Sequence, residues 1–170
     1  TVAAGLKANL ATSIADLKVA YADYHSPMQN VVMAETTGAI FCKAVGKVPL
    51  RRADNDIKGI APSPGWDAKY DWTGWVPFDQ TPQDDGAKGW VATANQRITP
   101  PGYPYFLGQD WVEPYRFDRI EQLLAATPKH NVLTQPPIQG DQLSLATVKL
   151  LPVLRKTMSS HPLAQSAMAT

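Results

Sequence analysis

Asn30 is the side chain whose type and position are best suited to chemistry. It follows Gln29 and opens a run of apolar residues, Val31 to Met33, that predicts a β-strand. A carboxamide held at the edge of a sheet carries N–H donors that can be aimed at a developing oxyanion, a role that depends on pre-organisation. An asparagine at a strand end also satisfies backbone groups in many proteins, so the position alone leaves both roles open.

The other reactive side chains form no pattern typical of a metal site or of paired acid–base catalysis. They are His25, His130 and His161, the acidic pairs Asp54/Asp56 and Asp84/Asp85, and the single cysteine Cys42. The histidines lie far apart in the sequence, and the acidic pairs lack the ligand spacing of a calcium loop. One thiol can neither close an internal disulfide nor share a zinc ion with a second thiol. We therefore expect no metal ligands and no cofactor among these residues.

Composition argues against two classes of partner. The chain has 170 residues, of which 44% are apolar and 18% charged, as is typical of globular proteins. Its 16 basic and 15 acidic side chains give a net charge of +1, so no one-signed field attracts nucleic acid or an acidic membrane surface. No segment approaches the roughly 20 apolar residues of a membrane-spanning helix. We expect no nucleic-acid partner and no membrane association.

The elements that must position Asn30 are predicted from periodicity. Residues 1–26 are predicted to be helical, because apolar residues recur at spacings of three and four, with a break near Ser13. Residues 29–49 are predicted to form a β-hairpin in which Gly38 supplies the positive φ of the connection. Both strands are almost continuously apolar, which favours a sheet covered on both faces.

The rest of the chain is predicted to be a long irregular region followed by helices. Residues 50–110 are rich in proline, contain one predicted strand at 90–94, and overlap the span from Trp66 to Trp111 that holds all five tryptophans. Such a loop is unusual in a compact domain, so we expect mainly buried tryptophans that pin it to a neighbouring surface. Residues 111–157 are predicted to hold two helices, one ending before Pro128 and one that begins near Asp141 and is bent or ended by Pro152. The small, polar tail, residues 158–170, is expected to fray.

Several short motifs follow one another in a fixed order from Tyr21 to Pro152. They are Pro27-Met28-Gln29-Asn30 leading into Val31 to Gly38, Gly46-x-x-Pro49-x-Arg51, Trp72-x-Gly74-x-x-Pro77-Phe78, Gly89 to Ala94-Asn95, Tyr103-Pro104, Tyr115-Arg116-x-x-Arg119 and Gln139-x-Asp141-x-x-Ser144. In this order and spacing they resemble the penicillin acylase (penicillin amidase) family of N-terminal nucleophile hydrolases. Two positions depart from the family pattern: Glu35 stands where Asp is usual, and Phe41-Cys42 where many members have Gly-Tyr.

The resemblance implies a fold class and a mechanism. The fold would be α+β, part of the αββα sandwich of these hydrolases. The reaction would be hydrolysis of a linear amide by an N-terminal Ser, exposed when a precursor cleaves itself, with its own α-amino group as the base. Asn30 would donate to the oxyanion hole and Arg51 would order the site. The nucleophile would lie outside this chain, which is expected to be an internal, inactive fragment of the β chain.

The resemblance also implies partners and a compartment. The partners would be an amide substrate and the remainder of the acylase, namely the α chain and the N-terminal part of the β chain. Export to the periplasm or secretion would be expected. The resemblance would also allow a calcium ion in full-length members of the family. No ligands for it are identified in this sequence.

Two alternatives to this assignment arise from the residues themselves. Thr1 suggests a nucleophilic N-terminal threonine, but Val2 to Gly5 do not resemble the Ser-Asn-x-Trp start of the family, so Thr1 is expected to be only a fragment boundary. A stand-alone module whose exposed aromatic residues bind sugars or peptides is the competing class of function. Such a module would present several tryptophans to solvent.

Overall fold

The computed structural model describes residues 1–157 and 159–168. The chain divides into two compact units, Thr1–Val112 and Glu113–Thr170. The described part of the first unit holds α1 (Val2–Ala8), α2 (Ile14–Tyr21), β1 (Gln29–Ala34), β2 (Ile40–Val45), β3 (Pro49–Arg51), β4 (Trp72–Trp75) and β5 (Gln83–Asp84). That of the second holds α3 (Tyr115–Ala125), α4 (Gln135–Gln139), α5 (Leu145–Leu154) and α6 (Pro162–Met168). In the described ranges, no helix is long and apolar enough to cross a membrane.

Two short helices precede the hairpin, and the break between them lies next to Ser13, as predicted. The Ser13 hydroxyl accepts a hydrogen bond of 3.0 Å from the backbone N–H of Asp16, which satisfies one of the unpaired N–H groups of the first turn of α2. The backbone N–H of Ile14 donates to the carboxylate of Glu35 in the hairpin connection. Glu35, a departure from the family pattern, therefore links the start of α2 to the hairpin.

The predicted hairpin is confirmed. Strands β1 and β2 are antiparallel, with Asn30 opposite Ala44. In the connection, Gly38 has a φ of +93° and donates its N–H to the Glu35 carbonyl at 2.9 Å. Strand β5 pairs with the other side of β2, giving the strand order β1-β2-β5. Asn30 consequently lies on an edge strand of this sheet.

The described residues alone do not cover both faces of β1, as the prediction of a two-sided sheet would require. Cross-strand partners share a face, so Asn30, Val32 and Cys42 lie together on one side of the hairpin. On that side, Val32 is 53% exposed. The opposite side carries Met33 and Val45, which are buried. The apolar character of β1 therefore marks a surface that the described residues leave open.

The region 50–110 differs from its prediction. It contains β4, β5 and the end of β3, whereas the strand predicted at 90–94 is absent. The chain turns at the end of this segment: Ala94 donates its N–H to the Gln96 side chain at 2.7 Å, and Asn95 has a φ of +63°. These local hydrogen bonds replace strand pairing. Strands β3 and β4 form a separate two-stranded sheet with a bulge between Leu50 and Arg51.

The second unit is helical. Helix α3 ends at Ala125, before Pro128, as predicted. Helix α5 begins at Leu145, where the Ser144 hydroxyl accepts from the N–H of Thr147 at 3.2 Å, and ends two residues after Pro152. The tail that was expected to fray contains α6, while residues 158, 169 and 170 lie outside the described ranges.

A bidentate ion pair joins α3 to the segment before α5. The guanidinium of Arg119 donates to the two carboxylate oxygens of Asp141 at 2.9 and 2.6 Å. The pairing holds the pKa of Asp141 below its ordinary value and raises that of Arg119. Parallel N–H···O bonds of this kind fix geometry as well as contributing energy. Both residues belong to the family-like motifs, and both serve the packing of this unit.

Candidate active-site residues

Asn30 lies at the start of β1, with a half-buried side chain. Its Nδ2 donates a hydrogen bond of 2.9 Å to the hydroxyl of Thr93. A carboxamide nitrogen carries two N–H groups, so this bond fixes the amide while leaving a second donor. The side chain is therefore partly exposed and held in one orientation. A fully buried side chain could not reach a ligand, and an unrestrained one would not be pre-organised to bind it.

The segment that failed to form a strand supplies the partner of Asn30. Thr93 is half-buried and lies two residues before the turn at Asn95. Sequence reasoning singled out this segment for its apolar character and missed the Thr93 hydroxyl, which accepts the hydrogen bond from Asn30. A threonine within a short apolar run, next to Ala-Asn, was the only available signal.

A close crossing of the chain supports the start of β1. Gly46, which follows β2, has a φ of +129°. A Cβ at residue 46 would lie 2.9 Å from the Cα of Met28, closer than packed atoms approach. Glycine is required here both for its backbone conformation and for the space it leaves. The crossing holds the residues just before Asn30 against the end of the neighbouring strand.

The Cys42 thiol lies on the same face as Asn30 and is half-buried. Burial, followed by the charge of Asp84, raises the pKa of this thiol above its ordinary value. A thiol in that state is a poor nucleophile, because the thiolate is the reactive form. Cys42 is therefore a small neutral neighbour of the candidate donor.

Lys43, on the opposite face, is fully buried and was missed by sequence reasoning. Its ammonium donates to the Thr81 carbonyl at 2.8 Å and to the Gln83 side chain at 3.1 Å, and it lies 4.9 Å from the centre of the Phe78 ring. Burial, with a smaller effect of Lys18, lowers the pKa of Lys43 to about 8, although Asp79 acts in the other direction. The residue ties β2 to the segment that forms β5. A lysine inside the run Ile40 to Val45 was the available signal.

Arg51 ends β3, opposite Trp72, and lies in a different sheet from Asn30. Its guanidinium is half-buried and donates to the Pro49 carbonyl at 3.4 Å. It also lies against Gly59, where a Cβ would come within 2.8 Å of Nη2. Burial lowers the pKa of Arg51. No carboxylate lies within salt-bridge distance of it in the part of the chain that the structure describes.

Lys58 and Gly59 form a tight turn beside Arg51. Both have left-handed backbone angles, φ +53° and φ +77°, and Ile60 donates its N–H to the Ile57 carbonyl at 3.1 Å. A left-handed angle costs a residue with a Cβ roughly 1–2 kcal/mol, so lysine is an unusual occupant of this position. The backbone N–H of Lys58 is held by the Asn55 side chain at 2.6 Å.

The tryptophans contradict the prediction that they are mainly core side chains. Trp66 is 90% exposed, Trp72 60% and Trp75 41%. Trp72 and Trp75 contact each other edge-to-face with ring centres 5.3 Å apart, and His25 approaches Trp75 at 6.3 Å. Only Trp90 and Trp111 are half-buried. In the described residues, the side chains that could hold a metal ion form no cluster of three or more.

Comparison with known proteins gives the family. Residues 1–170 match the family described as penicillin amidase. An acyl-homoserine lactone acylase, QuiP, from Pseudomonas aeruginosa is 37% identical over 142 residues, which is 81% of this chain and 16% of the relative. A penicillin acylase 2 proenzyme from a Pseudomonas species is 34% identical over 116 residues, which is 68% of this chain and 15% of the relative. The chain therefore spans about a sixth of the length of these curated relatives.

A solved structure shares the fold. A thermostable penicillin G acylase from Alcaligenes faecalis superimposes with a TM-score of 0.74 at 17% identity, over 98% of this chain and 30% of the acylase chain. The predicted α+β class is confirmed by this match and by the mixture of helices and sheets described above. The relatives are acylases, which cleave amides, and the chain belongs to the penicillin amidase family.

Proposed function

We propose that this chain supplies the oxyanion-hole asparagine of an N-terminal nucleophile hydrolase that cleaves a linear amide. The observation that carries the proposal is the carboxamide of Asn30, tethered through Nδ2 to Thr93 on the open face of an edge strand. In amide hydrolysis, attack on the carbonyl carbon places negative charge on its oxygen. A fixed N–H donor stabilises that charge more than it stabilises the neutral carbonyl, which lowers the barrier.

The nucleophile, in this proposal, is a serine outside the chain. Thr1 is unsuited to the role, because its hydroxyl donates to the Ser26 carbonyl at 2.9 Å and accepts from the Ser26 N–H at 3.2 Å. Both hydrogen bonds engage the oxygen that would have to attack. The isolated chain is therefore expected not to hydrolyse amides, and Thr1→Ala is expected to leave the full-length enzyme active.

Arg51 is proposed to order the site through its charge. Among the residues that the structure describes, the half-buried guanidinium has no carboxylate partner, so it is a positive charge that can orient polar groups around it. The substrates of the named relatives, acyl-homoserine lactones and penicillins, are the first candidates for this protein. Export to the periplasm or secretion is part of the same proposal.

The remainder of the acylase is the proposed partner of the open surfaces. Val32 and the three exposed tryptophans place apolar area in solvent, and the chain covers only 30% of the structurally similar acylase chain. Exposed apolar patches of this kind mark surfaces that bind another protein surface. The same exposure favours, as a second candidate, an aromatic-rich module that binds sugars or peptides.

Replacing Asn30 tests the proposed reaction. In the full-length protein, Asn30→Ala is expected to lower kcat by roughly 10² to 10³-fold, the usual loss for one oxyanion donor. Gln29→Ala is the matched control, because Gln29 is adjacent, exposed and on the other face of β1. A near-normal kcat for Asn30→Ala would remove Asn30 from the mechanism.

A further inference from the structure

The surface around Asn30 is blocked towards the start of β1 and open towards its end. At the start, Gly46 crosses Met28 so closely that a Cβ at residue 46 would lie 2.9 Å from the Met28 Cα. One N–H of the Asn30 carboxamide is taken by Thr93. In the other direction along β1, Val32 is 53% exposed on the face that carries Asn30. Among the residues that the structure describes, a ligand at the second N–H therefore has open surface over Val32.

Val32 and Cys42 form this surface next to Asn30. Val32 follows Asn30 by two positions, so its side chain lies about 7 Å further along the same face. Cys42 is the cross-strand partner of Val32, and the Cβ atoms of such a pair are about 4.5–5.5 Å apart. Both side chains are neutral, because Val32 is aliphatic and burial, followed by the charge of Asp84, raises the pKa of the Cys42 thiol. A small neutral surface of this kind favours an apolar group of a ligand.

The proposed reaction determines which part of the substrate lies over this surface. Attack makes the carbonyl carbon tetrahedral, with bonds to the oxygen, the acyl group, the nucleophile and the leaving nitrogen. The oxygen faces Asn30. The α-amino group of the nucleophile takes the proton of the attacking hydroxyl and passes it to the leaving nitrogen as the C–N bond breaks, so both of these atoms lie near a base outside this chain. The acyl group is the substituent that is left to face Val32.

We propose that Val32 and Cys42 form the floor of the acyl site and determine the size of the apolar acyl group that the enzyme accepts. The inference rests on the proposed oxyanion role of Asn30 and gives that site a substrate class, amides of neutral, apolar acids. The remainder of the acylase closes the site from the other side, so the acyl group lies between it and β1. A site of this kind discriminates by size, because an acyl group that is too large clashes with its floor.

The chain-length preference of the full-length enzyme tests the assignment. The measured quantity is the ratio of kcat/KM for the hexanoyl amide to that for the acetyl amide of one amine, nitroaniline, whose release is followed by absorbance. Val32→Phe fills the floor and is expected to lower this ratio at least about tenfold, and Cys42→Leu is expected to lower it in the same direction. Val132→Phe, the same substitution at an exposed position of the second unit, is the control and should leave the ratio unchanged.

The character of the contact is tested by Val32→Thr, which keeps the shape of the side chain and replaces a methyl group with a hydroxyl. It is expected to lower the ratio about fourfold, the effect of one buried methyl group. A wild-type enzyme that prefers the acetyl amide, or a ratio unchanged in both Val32→Phe and Cys42→Leu, would overturn the inference alone, since Asn30→Ala would still abolish turnover. A near-normal kcat for Asn30→Ala on both amides would overturn the oxyanion proposal and this inference with it.

Discussion

At the scale of residues, the proposed oxyanion donor depends on how one carboxamide is held. The hydrogen bond from Asn30 Nδ2 to the Thr93 hydroxyl spans 63 positions of sequence and joins an edge strand to an irregular segment. An oxyanion donor is effective when its orientation is fixed before the reaction. We therefore propose that Thr93 is a positioning residue, acting on the substrate only through Asn30.

Removing the Thr93 hydroxyl is expected to lower kcat by roughly three- to tenfold with little change in KM, the range of one lost hydrogen bond. Thr93→Val keeps the shape of the side chain, and Thr93→Ser keeps the hydroxyl and should remain close to the native rate. Steady-state kinetics on the full-length enzyme provides the comparison. An equal loss in both variants would indicate a packing role for Thr93 and no role in orienting Asn30.

Lys43 is expected to make folding stability depend on pH in a defined window. Its pKa in the folded chain is about 8, below the ordinary value of 10.5, so between these values the unfolded chain binds more protons than the folded chain. The free energy of unfolding should therefore rise as pH increases through this window. Below it, both states hold the proton and the contribution is constant.

The contribution of Lys43 can be isolated by difference. Urea unfolding from about pH 7.5 to about pH 9.5 should show a rise in stability that Lys43→Met lacks and the exposed-site control Lys129→Met retains. The same slope in wild type and Lys43→Met would show that the ammonium is not the group responsible.

At the scale of elements, the sequence correctly predicted the features that depend on residues close together in the chain. The Ser13 cap, the Gly38 connection and the end of α3 before Pro128 were correct, because each depends on residues within a few positions of one another. The strand predicted at 90–94 was wrong, because a strand needs a partner and local hydrogen bonds to Gln96 took its place. The pairing of Asn30 with Thr93 was beyond such reasoning, since nothing local connects them.

Alanine substitutions at two glycines of the hairpin distinguish the cost of backbone strain from the cost of steric contact. Gly38→Ala introduces a side chain into open space at a φ of +93° and is expected to cost about 1–3 kcal/mol of unfolding free energy. Gly46→Ala adds a clash with the Met28 backbone and should cost at least about 1 kcal/mol more. Chemical denaturation of both variants gives the comparison. Equal losses of unfolding free energy would contradict the close approach of residue 46 to the Met28 backbone.

At the scale of the whole molecule, three of the five tryptophans, which were predicted to be mainly buried, are exposed in this chain. Composition indicates that aromatic residues are usually buried, but it cannot say which surface buries them. Trp66 and Trp72 are mostly in solvent in a chain that spans about a sixth of its curated relatives. The family assignment could be reached from ordered motifs, whereas these motifs do not identify the surface that we propose covers Trp66 and Trp72.

Tryptophan quenching distinguishes the acylase from the stand-alone binding module. Acrylamide should quench Trp66 and Trp72 strongly in the isolated chain and weakly in the full-length protein, where the remainder of the acylase covers them. Variants that replace either residue with Phe assign the signal. Strong quenching of both residues in the full-length protein would favour the binding module.

The most direct test of the central claim compares binding of two inhibitors to wild-type and Asn30→Ala full-length enzyme. A boronic acid forms a tetrahedral adduct with the nucleophile and places an oxygen where the oxyanion develops, whereas an uncleaved substrate amide presents only the neutral carbonyl. Asn30→Ala is expected to weaken boronate binding roughly 10²-fold and the amide by less than about threefold, because the donor is complementary to the transition state. Equal weakening of both ligands, or of neither, would contradict the assignment of Asn30 as an oxyanion donor.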